Sequence, residues 1–308
     1  MSGRRLFPLL LIPFAAFSQP AGKGLTLETV PVHGNVYLIA TTLGNIAVQT
    51  GKDPGHDGIL LVDTGPPGMT PAIVTEIRKL SDAPVRFIVN TSADRDHTGG
   101  NDSLVKPGAK LFYQQPEVGI FAQDNVLTRM SGPQSNVPSA AWPTLTFDRG
   151  KRFEFNGETV ELLAEKNAHT DGDGIVFFRG SNVIATGDIF RTTGYPVIDV
   201  PRGGTIQGEI KALNHLLELT VPHAMQEGGT MVIPGHGRLC DQADVTDYRD
   251  MLTIIRDRVA DLIRKGKTLE EVKAARPTRD YDRRFSTSEW TGEMLVEAVY
   301  KTLKAGNL

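Results

Sequence analysis

Five side chains able to hold a metal occupy one kind of position in this chain. Asp96 and His97 follow the apolar run RFIVN, His169 follows VELLAEKNA, Asp188 follows NVIATG and His236 follows MVIPG. Each run reads as a buried strand. Strand ends gather along one rim of a sheet, so side chains remote in sequence can meet there. Imidazole nitrogens and carboxylate oxygens suit zinc, and equally iron or manganese. Gly99, Gly100, Gly172, Gly187, Gly235 and Gly237 adjoin these residues and let the backbone turn sharply around a site. The stretch NTSADRDHTGGN, residues 90–101, keeps Asp96 and His97 before a Gly-Gly pair and places Ser92 and Asp94 just ahead of them.

The elements that must position these groups alternate between strand and helix. VYLIA within 35–40, NIAVQT (45–50), GILLVDTG (58–65) and VRFIVNT (85–91) read as strands, with a helix over 71–80 whose Pro71 is acceptable in the first turn. The second half continues the pattern, with strands over 158–166, 174–180, 182–188 and 230–237, and a helix over 206–219 with Ile206, Ile210, Leu213 and Leu217 at helical spacing. Tyr248, Met251, Ile255, Val259 and Leu262 form one long amphipathic face, and short helices near 268–275 and 290–304 follow. RPTRDYDRRFSTSEW (276–290) reads as a polar surface loop. Strand-rich halves with interspersed helices predict two sheets packed face to face and covered by helices.

Composition narrows the function. A chain of 308 residues with a formal charge of -3 and no basic stripe carries no electrostatic footprint for nucleic acid. A small-molecule substrate is the expected partner. Arg4 and Arg5, the apolar run from Leu6 to Phe17, and Ala16-Phe17-Ser18 read as a signal peptide over 1–18, cleaved after Ser18. That run is shorter than the roughly 20 residues a spanning helix needs, so the mature protein is expected to be periplasmic or secreted, with no membrane partner. The single cysteine, Cys240, rules out an intramolecular disulfide and reads as a small buried hydrophobe, with a ligand role as the alternative.

Taken in order, these residues resemble the metallo-β-lactamase superfamily, which also includes glyoxalase II and lactonases. The resemblance is carried by Asp63 in LLVDTG, SADRDHTGG where the family reads His-x-His-x-Asp-His-x-Gly-Gly, His169 in AHTDGD, Asp188 in ATGDIF and His236 in IPGHG. It spans roughly residues 25 to 240, with 241–308 as a C-terminal helical segment packed on the same domain. It implies an α/β (α+β) fold, a four-layer αββα sandwich with the site on its open edge. In the family one metal site uses both histidines of the first motif and the next histidine; those positions here are Ser92, Asp94 and His169. The other site corresponds to Asp96, His97, Asp188 and His236, all present. A one-zinc subclass also lacks one first-motif histidine, but this chain lacks both and has Asp188 where that subclass carries cysteine.

The resemblance implies a metal-dependent hydrolase of ester, lactone, thioester or β-lactam bonds. One zinc per chain is expected on Asp96, His97, Asp188 and His236, with iron or manganese as alternatives. Asp94 and His169 are candidates for a second ion. In the catalytic reading Asp94 is the general base, Asp96 holds the metal and His169 bonds the developing oxyanion. Asp63 is expected to support the site or form a turn, Ser92 to fill space or hydrogen-bond, and Asp171 and Asp173 to hold loop amides. His33, His56, His215 and His223 are assigned to no metal. Two other readings stay open: a degenerate, non-catalytic metal or ligand binder, and an iron-dependent oxidoreductase.

Overall fold

The computed structural model describes residues 27–52, 57–105, 118–225 and 228–306; the signal-like stretch 1–18, the leader 19–24 and His56 lie outside them. The first sheet runs β1 (Leu27–Pro31), β2 (Val36–Thr41), β3 (Ile46–Thr50), β4 (Ile59–Val62), β5 (Val85–Val89), β6 (Gly119–Gln123) and β7 (Leu145–Phe147), each strand beside the next. β1 to β4 pair antiparallel; β4 to β7 pair parallel. The parallel part needs crossovers. Helix α1 (Thr70–Leu80) supplies the one between β4 and β5, α2 (Arg95–Thr98) and α3 (Asn101–Val105) follow β5, and α4 (Asp124–Met130) follows β6.

The second sheet contains β8 (Gly150–Phe155), β9 (Glu158–Glu165), β10 (Asp173–Phe178), β11 (Val183–Ala185) and β12 (Met231–Ile233), in the order β12-β11-β10-β9-β8. Only β11 and β12 pair parallel in it, and α5 (Ile206–Leu219) lies in their crossover. After β12 come α6 (Gln242–Arg264), α7 (Leu269–Ala274), α8 (Asp282–Phe285) and α9 (Gly292–Ala305). Asp241 opens α6 with a capping box: its side chain accepts the amides of Ala243 and Asp244, and the Asp244 side chain returns to the Asp241 amide.

Period-two alternation of apolar residues builds four layers. Leu60 and Val62 of β4 face Val176 and Phe178 of β10 in a core between the sheets. Ile59 and Leu61 point the other way, onto Ile73 and Ile77 of α1. Ile175 and Phe177 of β10 turn outward onto Leu213 of α5, Ile255 of α6 and Val299 of α9. The order is therefore helix, sheet, sheet, helix, as expected, and the C-terminal helices belong to the outer layer on the second sheet. Cys240 is buried in that same outer core. β1, β6, β7, β8 and α4 are not evident from the sequence pattern. β8 alternates toward solvent on most of its residues and β7 has three residues, so neither gives a strong apolar signal.

The segment 276–290 corrects the expectation of a surface loop. Phe285 is buried against Tyr195 and Tyr248, and the Tyr195 amide donates to the Phe285 carbonyl at 2.9 Å. The Tyr195 hydroxyl donates to Asp282 Oδ1 at 3.0 Å. One phenylalanine and its aromatic partners elsewhere in the chain anchor a segment whose composition is otherwise polar.

Candidate metal centre

All the singled-out donors lie at one edge of the sandwich, beyond the ends of β4, β5, β9, β11 and β12. Asp63 closes β4 in the left-handed region at φ 63°. Its Oδ1 accepts the Thr91 amide at 2.8 Å, and its Oδ2 accepts the Thr91 hydroxyl at 2.6 Å and lies 2.7 Å from His97 Nδ1. A carboxylate on Nδ1 fixes the ring orientation and leaves Nε2 to face the site. Asp63 thus lies behind His97 and also ties down Thr91 of the following loop.

Asp188 sits in a short turn just after β11. Gly187 before it has φ 53°, and a β-carbon there would lie 2.4 Å from Thr91 Oγ1. A β-carbon on Gly235 would lie 2.6 Å from the Gly187 carbonyl carbon and 2.9 Å from Asp188 Oδ1. Glycine at 187 lets the β11 end approach Thr91 beyond β5, and glycine at 235 lets the β12 end approach Gly187, which brings Asp188 beside His236.

Asp96, His97, Asp188 and His236 each present one donor atom, and all four lie within 4.8 Å of one another. His97 Nε2 stands 3.3 Å from Asp188 Oδ2, and His236 Nε2 stands 3.1 Å from Asp188 Oδ1 and 3.3 Å from Asp96 Oδ2. Yet His97 Nε2, His236 Nε2 and Asp188 Oδ1 are buried without a hydrogen bond of acceptable geometry. Two ligands about 2.1 Å from one ion stand roughly 3.0–3.4 Å apart, depending on coordination geometry. Donor spacing and unbonded buried atoms together fit a divalent metal. Burial alone would disfavour charge on His97, but the carboxylates of Asp63 and Asp188 more than offset it and raise its pKa well above the ordinary value. Asp188 is likewise buried, and His97, His236 and Arg191 hold its carboxyl well below the usual range.

Asp94, His169 and the same Asp188 form a second group within 4.8 Å. Asp94 Oδ2 lies 2.6 Å from His169 Nε2, and Asp94 Oδ1 accepts from the guanidinium of Arg202. The other ring nitrogen of His169 lies 2.6 Å from the Val197 carbonyl. Burial opposes charge on both groups. For His169 the Asp94 bond and the nearby carboxylates of Asp173 and Asp188 outweigh it and push the ring up to about 10. For Asp94 the His169 and Arg202 bonds outweigh it and hold the carboxyl well below its usual range. Ser92 is buried in the same loop, and its hydroxyl accepts the Asp94 amide at 3.2 Å.

Several contributors carry no sequence signal. Arg202 reaches Asp94 across 108 positions of chain. Arg191, three residues after Asp188, lies 3.5 Å from Asp188 Oδ1. Its spacing from Asp188 is the one hint the sequence holds of it. Glu209 of α5 is fully buried with both carboxylate oxygens unbonded, and burial raises its pKa well above the ordinary value. Of the other expected groups, Asp173 accepts the Thr170 amide and hydroxyl, whereas Asp171 pairs with Arg129. His215 pairs with Glu165. A cleft of about 720 Å³ opens in front of Asp96 and His236, walled by Leu43, Arg95, Arg191, Glu289 and Trp290 among others. The segment expected to be a loop thus contributes Glu289 and Trp290 to the wall.

Comparison with known proteins places this arrangement. A family model described as metallo-β-lactamase superfamily matches residues 30–236. No curated protein matches the chain significantly. Among solved structures, the stereoselective inverting sec-alkylsulfatase Pisa1 from Pseudomonas sp. superposes with a TM-score of 0.63 at 17% identity, covering 89% of this chain and 50% of the alkylsulfatase. The chain thus spans about half the length of that enzyme. A metallo-β-lactamase from Pontibacter korlensis gives a TM-score of 0.57 at 17% identity over 74% of this chain and 99% of its own. DIM-1 metallo-β-lactamase gives 0.54 at 18% identity, over 75% and 99%.

Proposed function

Because the chain belongs to the metallo-β-lactamase superfamily, we propose that it is a metal-dependent hydrolase holding one divalent ion, zinc, on Asp96, His97, Asp188 and His236. The observation that carries this reading is the set of donor atoms 3.1–3.3 Å apart at the head of the cleft, of which His97 Nε2, His236 Nε2 and Asp188 Oδ1 are buried and unbonded. Buried polar atoms without partners cost about 1–3 kcal/mol each, so a fold that keeps several together favours an occupant. A divalent ion there supplies Lewis-acid polarisation of a substrate oxygen and lowers the pKa of water toward neutrality.

The chain's own residues do the rest. Asp63 orients His97 through Nδ1. His169, with its two ring nitrogens on Asp94 and the Val197 carbonyl, is fixed at the side of the site with Nε2 3.9 Å from Asp188 Oδ2. We read Asp94, with an oxygen on His169 and an oxygen on Arg202, as an orienting carboxylate, with the general base expected from its position as the alternative. Trp290 and Leu43 offer apolar surface to the substrate, and Arg95 and Arg191 offer positive charge.

The substrate class proposed is a small ester-like molecule. Sulfate esters join carboxylic esters, lactones, thioesters and β-lactams in the test panel because the neighbours of this fold are named alkylsulfatase and metallo-β-lactamase. Purified protein should hold close to one zinc per chain and hydrolyse at least one chromogenic member of the panel. Chelation should abolish the activity and zinc should restore it. One tightly held zinc with no hydrolysis across the panel would favour a binding protein. Bound iron with a visible absorption band would favour oxidoreductase chemistry. Export belongs to the same proposal, motivated by the apolar run Leu6 to Phe17. Mature protein from a Gram-negative periplasm should begin at Gln19, and an intact Met1 on soluble protein would refute it.

A further inference from the structure

We propose that Arg202 is a built-in cation that closes a second metal site: its guanidinium takes the Asp94 oxygen and the positive charge that a second divalent ion would otherwise supply. Asp94, His169 and Asp188 bring three donors of suitable type within 4.8 Å of one another, as the first group does with four. The two groups differ in what else holds them. In the first group, nitrogens of both histidines and an oxygen of Asp188 are left without hydrogen bonds. In the second, Asp94 is bonded on one oxygen by His169 and on the other by Arg202.

The chain also fixes Arg202 from several sides. Asp199 accepts both its amide at 3.0 Å and its Nε at 2.6 Å. Its carbonyl accepts from the Asp171 amide at 3.0 Å and from Arg129 at 2.8 Å. Arg129 is in turn paired with Asp171. A guanidinium is always charged and presents its donors in a rigid fork, so a clamped one is a permanent counter-ion. Without Arg202, two carboxylates, Asp94 and Asp188, would face one another with only the His169 ring between them. A divalent ion approaching Asp94 meets like charge and an occupied oxygen. Arg202 thus acts as a positioning residue that keeps the centre mononuclear. Its side chain is 31% exposed, so truncation admits water in place of an internal cavity.

This inference uses the proposed first site only as its baseline; what decides it is the increment in metal between variants. Wild type, Arg202→Met, Arg202→Gln, Arg202→Lys and the double variant Arg202→Met/Asp94→Ala are loaded with excess zinc, desalted and analysed for metal. Folding of each is checked by circular dichroism and thermal unfolding. Arg202→Met and Arg202→Gln should each bind close to one zinc more than wild type. Arg202→Lys, which keeps the cation, should match wild type, and the double variant should return to the wild-type value because a donor of the opened site is gone. A folded Arg202→Met or Arg202→Gln with no added zinc overturns the proposal, as does a wild type that already holds two. A wild type with none would refute the proposed function, while the increment would still decide the role of Arg202.

Discussion

The two donor groups at the cleft share Asp188 and differ in almost everything else. On one side, His97 is steered by Asp63, His236 is brought in by the close approach of Gly235 to Gly187, and the atoms that face Asp188 stay unbonded. On the other, the oxygens of Asp94 bond His169 and Arg202, and His169 is also bonded to the Val197 carbonyl. Both groups contain histidine and aspartate within the same 4.8 Å. Residue type therefore does not separate a metal seat from a salt-bridged cluster. The deciding question is whether the surrounding protein has already taken the lone pairs. Arg202 marks that boundary, a cation delivered by the chain instead of by solution.

The largest effect is expected at the residue the two groups share. Asp188→Ala should drop retained metal to near zero and activity by roughly a thousandfold or more, since the ion and its orientation are lost together. Elemental analysis of the desalted protein checks the first part; near-normal zinc content would mean that Asp188 belongs to the second group alone. A smaller effect is expected one layer out. Asp63→Asn removes the charge behind His97 while keeping a group of the same shape, and should weaken metal affinity about 10–100-fold. Competition with a chelator of known affinity measures it. An unchanged affinity would show that burial alone orients His97.

The sequence conveys the first group better than the second, for a physical reason. A donor at a strand end follows an apolar run, and a tight approach leaves a glycine beside it. Gly187 and Gly235 are such marks, and they stand next to Asp188 and His236. The layers are equally legible, because Leu60 and Leu61 must face opposite cores once β4 is a strand. Arg202 leaves no mark of this kind. It lies in a short turn between a proline and a glycine pair, and its role depends on a contact that only the folded sheets create. The segment 276–290 misleads for a related reason. Its polar residues dominate its composition, whereas its position is set by Phe285 and by hydrogen bonds from Tyr195, neither of which is visible in local periodicity.

In the second group the informative residue is Asp94. Asp94→Asn preserves an acceptor for Arg202 and removes the negative charge between it and His169. If Asp94 orients its neighbours, zinc content should stay at one per chain and activity should fall about tenfold. Loss of a general base would instead lower it roughly 100- to 10,000-fold. The two outcomes are separated by kcat on whichever panel substrate is turned over.

The smallest effect belongs to Ser92. The residue is 1% exposed, and its hydroxyl accepts the Asp94 amide at 3.2 Å. That bond shapes the loop entering α2 and supplies nothing to either group of donors. Ser92→Ala should therefore leave metal content unchanged and kcat within about twofold. The lost bond leaves the Asp94 amide without that partner at a partly buried position, which costs about 1 kcal/mol of folding stability. Chemical denaturation of the zinc-loaded protein reads that cost as a lower midpoint at unchanged slope. Were Ser92→Ala to lose zinc as readily as Asp188→Ala, the loop would be gripping the ion itself. The division between an open seat and a closed one would then have to be redrawn around Ser92.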